Sequence, residues 1–238
     1  MPISFDSPYY PYEIVQTGFN TLNGADLIPG KIIKYLLDLP DGNGYEPIDD
    51  NRRPRVRLAK YLWYDEPNPL AKPLPTTEQK LSLLYNGENA ELTTEEDEAR
   101  HPKGYRLFGQ SYWLPARLKA NVVLKCFMGR VIPRSDFNTV LGVKFQCDIN
   151  YALESMMHTE QFSKMYSIFQ AVIESLHGVN IAGVGVVYFN KTVHGDCGYS
   201  VYHQEGGSVY ADWTVAIEWR ESDTIPKLVT DYDLTLTP

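Results

Sequence analysis

The chain has 238 residues, and its 30 aspartates and glutamates outnumber its 22 lysines and arginines, which gives a net charge of −8. An acidic surface repels phosphate, so the composition argues against a protein that coats nucleic acid. No run of about 18 apolar residues indicates a membrane span, and we expect no signal peptide, because the first residues lack its charged and apolar regions. The cysteines have no metal-binding or redox spacing, which favours a reducing compartment.

The first 24 residues combine aromatic side chains with prolines and glycines. This composition is too apolar for a disordered tail and too interrupted for a helix, so it predicts an extended arm that docks on its own chain or on a neighbour. The aromatic residues proposed for such an interface are Tyr9, Tyr10, Tyr12 and Phe19. Residues 223–238 form a polar, proline-ended tail and are a second candidate arm.

A helix is predicted over residues 25–39, where Pro29 and Pro40 bracket an apolar stripe with spacings of three and four. Residues 54–64 are predicted to form a strand, because Val56 and Leu58 alternate with arginines. The only basic cluster of the sequence lies here and consists of Arg52, Arg53, Arg55 and Arg57. It either contacts DNA phosphate or an acidic partner, or forms a solvated strand face that neighbouring acidic residues balance.

Residues 65–117 show the least regular pattern. Four prolines between positions 67 and 75 predict a stiff linker, residues 80–85 a short strand, and the acidic run 91–98 a solvated loop or short helix. A segment of this length without clear elements is typical of a functional loop or an insertion.

The clearest pattern runs from residue 118 to Gly178. Alternating residues predict a long strand over 118–132, a turn at 133–136, and a second long strand over 139–151 that returns antiparallel to the first. A helix follows over 159–177, with Thr159 as its N-cap and Gly178 as its stop.

Further strands are predicted over 181–189, from Tyr199 to His203, and over 209–220, with a hairpin loop at 204–208. Strand pairs joined by short turns indicate an α+β fold, with a mainly antiparallel sheet and helices packed on one face. We expect a single domain over residues 25–222, with 65–117 as an insertion.

His194, Asp196, Cys197 and His203 lie within ten residues and invite a zinc or Cys–His interpretation. Zinc would need a further ligand, and the flanking glycines favour a plain loop between two strands. The pair Gly183 and Gly185 lacks the third glycine of a dinucleotide loop. The sequence therefore predicts no catalytic, cofactor-binding or metal-binding residues and no enzymatic activity.

The order of elements from Thr139 to Arg220 resembles the core of tail terminator and neck proteins of tailed bacteriophages. The resemblance lies in a strand that ends in residues 146–150, the 159–177 helix, short strands, and a final strand containing residues 213–219. The 26–39 helix with the predicted strand near 55–62 is similar to the start of such proteins. The 65–117 segment and the two arms are additional, which favours a larger neck or connector ring subunit.

This resemblance implies a structural virion protein at the head–tail junction, made in the cytoplasm of the host bacterium. Its partners would be six or twelve copies of itself in a ring, other neck, portal or tail proteins, and genomic DNA in transient, non-specific contact. Two other functions stay open from the residues: a soluble protein-binding module, and a small-molecule enzyme that uses His194, Cys197 and His203.

Overall fold

Three long antiparallel strands form the centre of the fold, as the alternating residues predict. A computed structural model describes residues 25–40, 45–85, 94–109, 120–135, 138–158, 163–204 and 207–220. Strand β4 (Asn138–Asn150) lies between β3 (Val122–Ser135) and β8 (Ser208–Arg220), and it pairs with β8 along its whole length. The side chains that β4 turns toward the core are fully buried: Leu141, Val143, Phe145, Cys147 and Ile149.

Five short strands complete the sheet. They are β1 (Leu84–Tyr85), β2 (Leu107–Phe108), β5 (Asn180–Ile181), β6 (Gly185–Tyr188) and β7 (Tyr199–Gln204). The order is β1-β2-β3-β4-β8-β6-β5, and β7 also pairs with β8. Strands β6 and β7 therefore share one edge of β8, with β7 beside residues 208–213 and β6 beside residues 216–217. All pairs are antiparallel except β1–β2 and β2–β3.

The α+β architecture is confirmed. The helices of the described residues are α1 (Ile28–Leu36), α2 (Pro54–Trp63), α3 (Thr77–Leu81), α4 (Thr94–Arg100), α5 (Tyr151–His158) and α6 (Lys164–Leu176). Residues of α1, α2 and α6 share one apolar core with β3, β4 and β8. No helix in the described part of the chain is long and apolar enough to cross a membrane.

The prediction of a strand over residues 54–64 is wrong, because this segment forms helix α2. Proline fixes a helical φ and lacks the N–H that a first-turn residue leaves unpaired, so Pro54 suits the start of α2. Leu58 and Leu62 are both buried, and their spacing of four places them on one helical face. The alternation of two apolar residues with two arginines was too short to indicate a strand.

The predicted start of the 159–177 helix also moves. Helix α6 begins after Ser163, whose side chain accepts a hydrogen bond from the backbone N–H of Tyr166. Ser163 is thus the N-cap of α6, while the proposed cap Thr159 lies outside the described residues. The stop at Gly178 is confirmed by its φ of +76°, which glycine adopts readily.

The segment 181–189 contains two strands rather than one. Strands β5 and β6 pair through Ile181 and Gly185, and Gly183 between them has a φ of +68°. The glycines therefore form a tight hairpin, which a period-2 pattern cannot distinguish from a continuous strand. The predicted turn at 133–136 is also displaced, because β3 continues to Ser135 and pairs there with Asn138.

Buried cations attach the irregular region to the core. The Arg106 side chain is 1% exposed and makes two hydrogen bonds of 2.7–2.8 Å to the Asp65 carboxylate and one of 2.6 Å to the Leu62 carbonyl. Lys164, also buried, donates to the Tyr64 carbonyl at 2.6 Å. Residues 62–65 are thus held between β2 and the first turn of α6.

Candidate functional site

A polar cleft of about 310 Å³ opens on the outer face of the sheet, which is the face opposite α1, α2 and α6. Two ion pairs line it, each with an N–O distance of 2.7 Å: Arg130 with Asp196, and Lys144 with Asp212. Because each cation already has a carboxylate partner, the cleft has little excess charge with which to attract an anion.

The loop of residues 189–198, which connects β6 to β7, covers part of this outer face. Its Cys197 packs with Val140 and Ala216 in a small apolar cluster that is separate from the main core. At the other end of the loop the Val193 carbonyl accepts a 2.7 Å hydrogen bond from Arg134. The loop is thus docked on the sheet by apolar, polar and ionic contacts.

His194 is the buried centre of this loop. Its Nδ1 accepts a hydrogen bond of 3.2 Å from the backbone N–H of Asp196, so the neutral ring carries its proton on Nε2. That Nε2 has no hydrogen-bond partner among the described residues. The ring lies against Gly142 of β4, where a Cβ would come within 2.7 Å of Nε2. Glycine at this strand position is what gives the imidazole its space.

Replacing Gly142 with alanine is therefore expected to displace the His194 ring. The added methyl group would occupy the space that the imidazole ring now fills. We therefore expect the free energy of unfolding to fall by about 1–3 kcal/mol. NMR of the His194 ring and urea unfolding measure the two effects. Gly195→Ala is the matched control, because a Cβ there meets nothing within 4 Å. An unchanged His194 environment in Gly142→Ala would contradict the expectation.

The stability of the loop is expected to depend on pH through His194. Burial lowers the pKa of His194 first of all; Asp196 opposes this, while Arg130 and Arg134 lower the pKa further. A depressed pKa in the folded state means that stability is present above the unfolded value of about 6.5 and is lost as pH falls through the folded value. Protonation would also remove Nδ1 as the acceptor for Asp196.

Between pH of about 7 and 5 we therefore expect the wild type to lose more unfolding free energy than His194→Gln, which does not titrate. Urea unfolding across this range gives the comparison, and ring NMR gives the pKa directly. Parallel pH profiles for the two proteins would contradict it.

His194 and Cys197, considered above as a possible Cys–His pair, do not have the geometry of a reactive dyad. Cys197 is buried, and burial raises the pKa of its thiol, whereas a nucleophilic cysteine needs a lowered one. Neither ring nitrogen of His194 bonds to the thiol within the described residues, since Nδ1 accepts from Asp196 and Nε2 is unpartnered. The side chain of His203 lies outside the described part of the chain. No group of three potential metal ligands occurs among the described residues.

The four arginines of the basic cluster lie at the start of helix α2 and in its first turns, and each has a partner within the chain. Arg52 pairs with Asp50 at 2.9 Å, and its side chain is 91% exposed. Arg53 donates to the Tyr45 hydroxyl at 3.1 Å. Arg53 is half-buried, so Arg52 is the one fully exposed member of the cluster.

Arg55 and Arg57 point toward the protein. Arg55 pairs with the buried carboxylate of Asp38 at 2.8 Å and lies over the Tyr35 ring at 4.5 Å. Arg57 pairs with Glu174 of helix α6. The helix thus distributes charges that a strand would have placed on one face, and contact of the cluster with DNA or a partner stays a prediction.

An exposed apolar surface lies at strand β7, and the sequence pattern did not predict it. Tyr166 of α6 is 51% exposed, and Val201 on the helix-facing side of β7 is 45% exposed. Tyr202 is 50% exposed on the opposite face, where its ring lies 5.6 Å from that of Tyr210. Tyr166 lies 5.9 Å from the Tyr199 ring, so helix and strand meet there. The predicted period-2 pattern of β7 gave the alternation but could not show that, within the described part of the chain, β7 pairs only with β8.

Of the predicted interface residues, Tyr9, Tyr10, Tyr12 and Phe19 lie outside the described residues. No protein-family model matches the chain, and a search of curated proteins finds no significant match. The functional argument therefore depends on the geometry of the chain itself.

Proposed function

We propose that the chain is a structural subunit of a ring at the head–tail junction of a tailed bacteriophage, of the tail terminator or neck type. The order of elements supports this: long strand β4, helix α6, short strands, and a final strand β8 that pairs directly with β4. This is the order on which the resemblance to tail terminator and neck proteins rests. The role is mechanical, joining neighbouring rings around the DNA channel.

The observation that carries the proposal is the exposed apolar surface of Tyr166 and Val201 at a strand with one neighbour among the described residues. A ring requires each copy to contact its neighbours through two different surfaces. Tyrosine is frequent in protein interfaces, and an open strand edge offers backbone hydrogen bonds to a partner. The net charge of −8 suits a channel through which DNA slides.

Native mass measurement of the purified protein tests this directly. We expect six or twelve copies of the 27.1 kDa chain, and we expect the protein in purified virions. A protein that stays monomeric at high concentration and is absent from purified virions would contradict the proposal. A monomer or dimer that captures a host protein would favour the binding module instead.

The contact with DNA can be tested at two arginines only. Arg55→Glu would place a second carboxylate against buried Asp38, so it would damage the fold. Arg52→Glu with Arg53→Glu alters the exposed end of the cluster, and we expect poorer genome retention from it in assembled particles. Lys34→Glu with Lys191→Glu, at exposed residues of helix α1 and of the 189–198 loop, is the charge-matched control. Equal retention in both would contradict contact with DNA at the cluster.

A further inference from the structure

Among the described residues strand β7 pairs only with β8, which leaves its other edge open, and its two faces differ. Tyr199 stacks on Phe169 of α6, with ring centroids 4.3 Å apart, so the odd-numbered residues of β7 face the helices. Val201 is the next residue on that side, and it is 45% exposed beside Tyr166. An additional strand at this edge would cover both side chains if its apolar face pointed toward α6.

The sequence after β8 has the pattern of such a strand. From 228 to 237, the even-numbered residues are Leu228, Thr230, Tyr232, Leu234 and Leu236, and the odd-numbered ones are Val229, Asp231, Asp233, Thr235 and Thr237. Alternation of this kind, with β-branched and aromatic residues, predicts a strand with one apolar and one polar face. Pro226 and Pro238 bound it, and proline is typical of strand ends.

The position of β8 disfavours pairing of this segment with β7 of the same chain. Arg220 lies seven residues beyond Trp213, the residue level with the start of β7, which corresponds to about 24 Å along the strand. A strand outside β7 lies about 10 Å to the side of β8. The linker 221–227 reaches about 26–29 Å when fully extended, which only just spans this distance in a straight line.

The β5–β6 hairpin lies on the direct path from the end of β8 to the outer edge of β7. Strand β6 pairs with β8 at Ala216 and Ile217, on the same edge as β7, and β5 pairs with β6 on its far side. The β5–β6 hairpin therefore stands between the end of β8 and the open edge of β7. A segment from a second copy is not tethered to this β8, so it need not cross the β5–β6 hairpin to reach the edge.

We propose that residues 228–237 of one copy add a strand to β7 of a neighbouring copy, with Tyr232, Leu234 and Leu236 covering Val201 and Tyr166. This inference rests on the proposed ring, since it names the contact that joins the copies. The donated segment follows one end of β8, and the accepting edge lies beside its other end. The contact is therefore head-to-tail, and such contacts close into a ring when the rotation between neighbours allows it and form open chains otherwise.

Two variants disable the two sides of this contact. Leu234→Asp with Leu236→Asp places charges on the apolar face of the donated segment, and Val201→Lys places one on the accepting edge. Each is expected to weaken self-association about tenfold or more. The matched controls change the opposite faces: Thr235→Asp with Thr237→Asp, and Tyr202→Lys. Both controls should assemble like the wild type, as measured by analytical ultracentrifugation.

Mixing the two disabled variants is the decisive measurement. Each lacks one side of the contact, so each should be monomeric alone, whereas the mixture should form dimers and nothing larger. A disulfide trap gives a second reading: a Val201→Cys chain mixed with a Leu234→Cys chain should crosslink between copies, and the native cysteines in the described structure are all buried.

The outcomes separate this inference from the proposed function. Rings that persist in both variants, or a mixture without dimers and crosslinks, would overturn the strand exchange and leave the ring proposal standing. A double variant with Val201→Cys and Leu234→Cys in one chain serves as a further test. If this chain crosslinks only within itself, the segment belongs to its own β7, and the exchange is overturned. If the mixed variants form dimers but the wild type forms open chains, the strand exchange is supported and the ring proposal is contradicted.

Discussion

Replacing Arg106 with glutamine is expected to lower the free energy of unfolding by about 3–5 kcal/mol. The Arg106 guanidinium is buried and holds both oxygens of Asp65, and it also donates to the Leu62 and Lys103 carbonyls. Burial alone would raise the pKa of Asp65, but hydrogen bonds and the charge of Arg106 hold that pKa below its usual value. The variant removes the charge partner of this carboxylate, which keeps only a 3.1 Å hydrogen bond from Asn121, and two carbonyls lose the guanidinium donor.

Urea unfolding of Arg106→Gln and Arg130→Gln gives a matched comparison. Both arginines lie 2.7 Å from an aspartate, but the Arg130 and Asp196 side chains are 61% and 60% exposed. An exposed pair contributes about 0–1 kcal/mol, because water and salt screen it. Losses of similar size in the two variants would show that burial does not determine the strength of these pairs.

Replacing Trp213 with alanine is expected to cost about 3–5 kcal/mol. Trp213 is fully buried in β8, and its ring stacks on Phe145 of β4 at 5.5 Å and meets Phe169 of α6 edge-on at 5.3 Å. Its side chain thus joins the sheet to the helical layer. Alanine would leave a cavity between two elements that pack only through these rings at this point.

Trp213→Phe is the control for this substitution. Phenylalanine keeps an aromatic ring in place, and it removes an indole N–H that has no acceptor among the described residues. We therefore expect a loss below about 1.5 kcal/mol in the same unfolding experiment. A loss as large as that of alanine would mean that the shape of the indole, rather than aromatic contact, holds the layers together.

The long strands and helix α6 could be predicted because each carries a full apolar face. Strand β4 alternates over its whole length, and α6 buries Met165, Ile168, Val172 and Leu176 at spacings of three and four. Helix α2 could not be predicted in this way, since its buried residues nearly surround the helix and include Lys60. Its proline at the first position was the usable signal.

Helix α3 shows that local signals can be overlooked. Thr76 and Gln79 form a capping box, in which each side chain bonds the backbone N–H of the other residue. The threonine and glutamine three residues apart are a recognised helix start. The predicted strand over residues 80–85 overlaps the end of this helix, and only Leu84 and Tyr85 form a strand.

The candidate site depends on contacts between distant parts of the chain, and a single sequence does not specify them. The proximity of Gly142 to His194 follows from a loop that folds back over β4. The exposed surface at β7 follows from the way β6 and β7 share one edge of β8. Patterns along the chain gave the identity of these residues, while their neighbours were set by the order of the strands.

The central position of β4 has a consequence for synthesis of the protein. Its partner β3 precedes it directly, but its other partner β8 lies beyond α5, α6 and three short strands. A nascent chain therefore carries β4 with an unpaired edge until β8 has left the ribosome, and pairing of such distant strands is slow. During that interval Phe145 and Val143 lack the strand that later pairs beside them, so the growing chain is most prone to aggregation before residue 220 emerges.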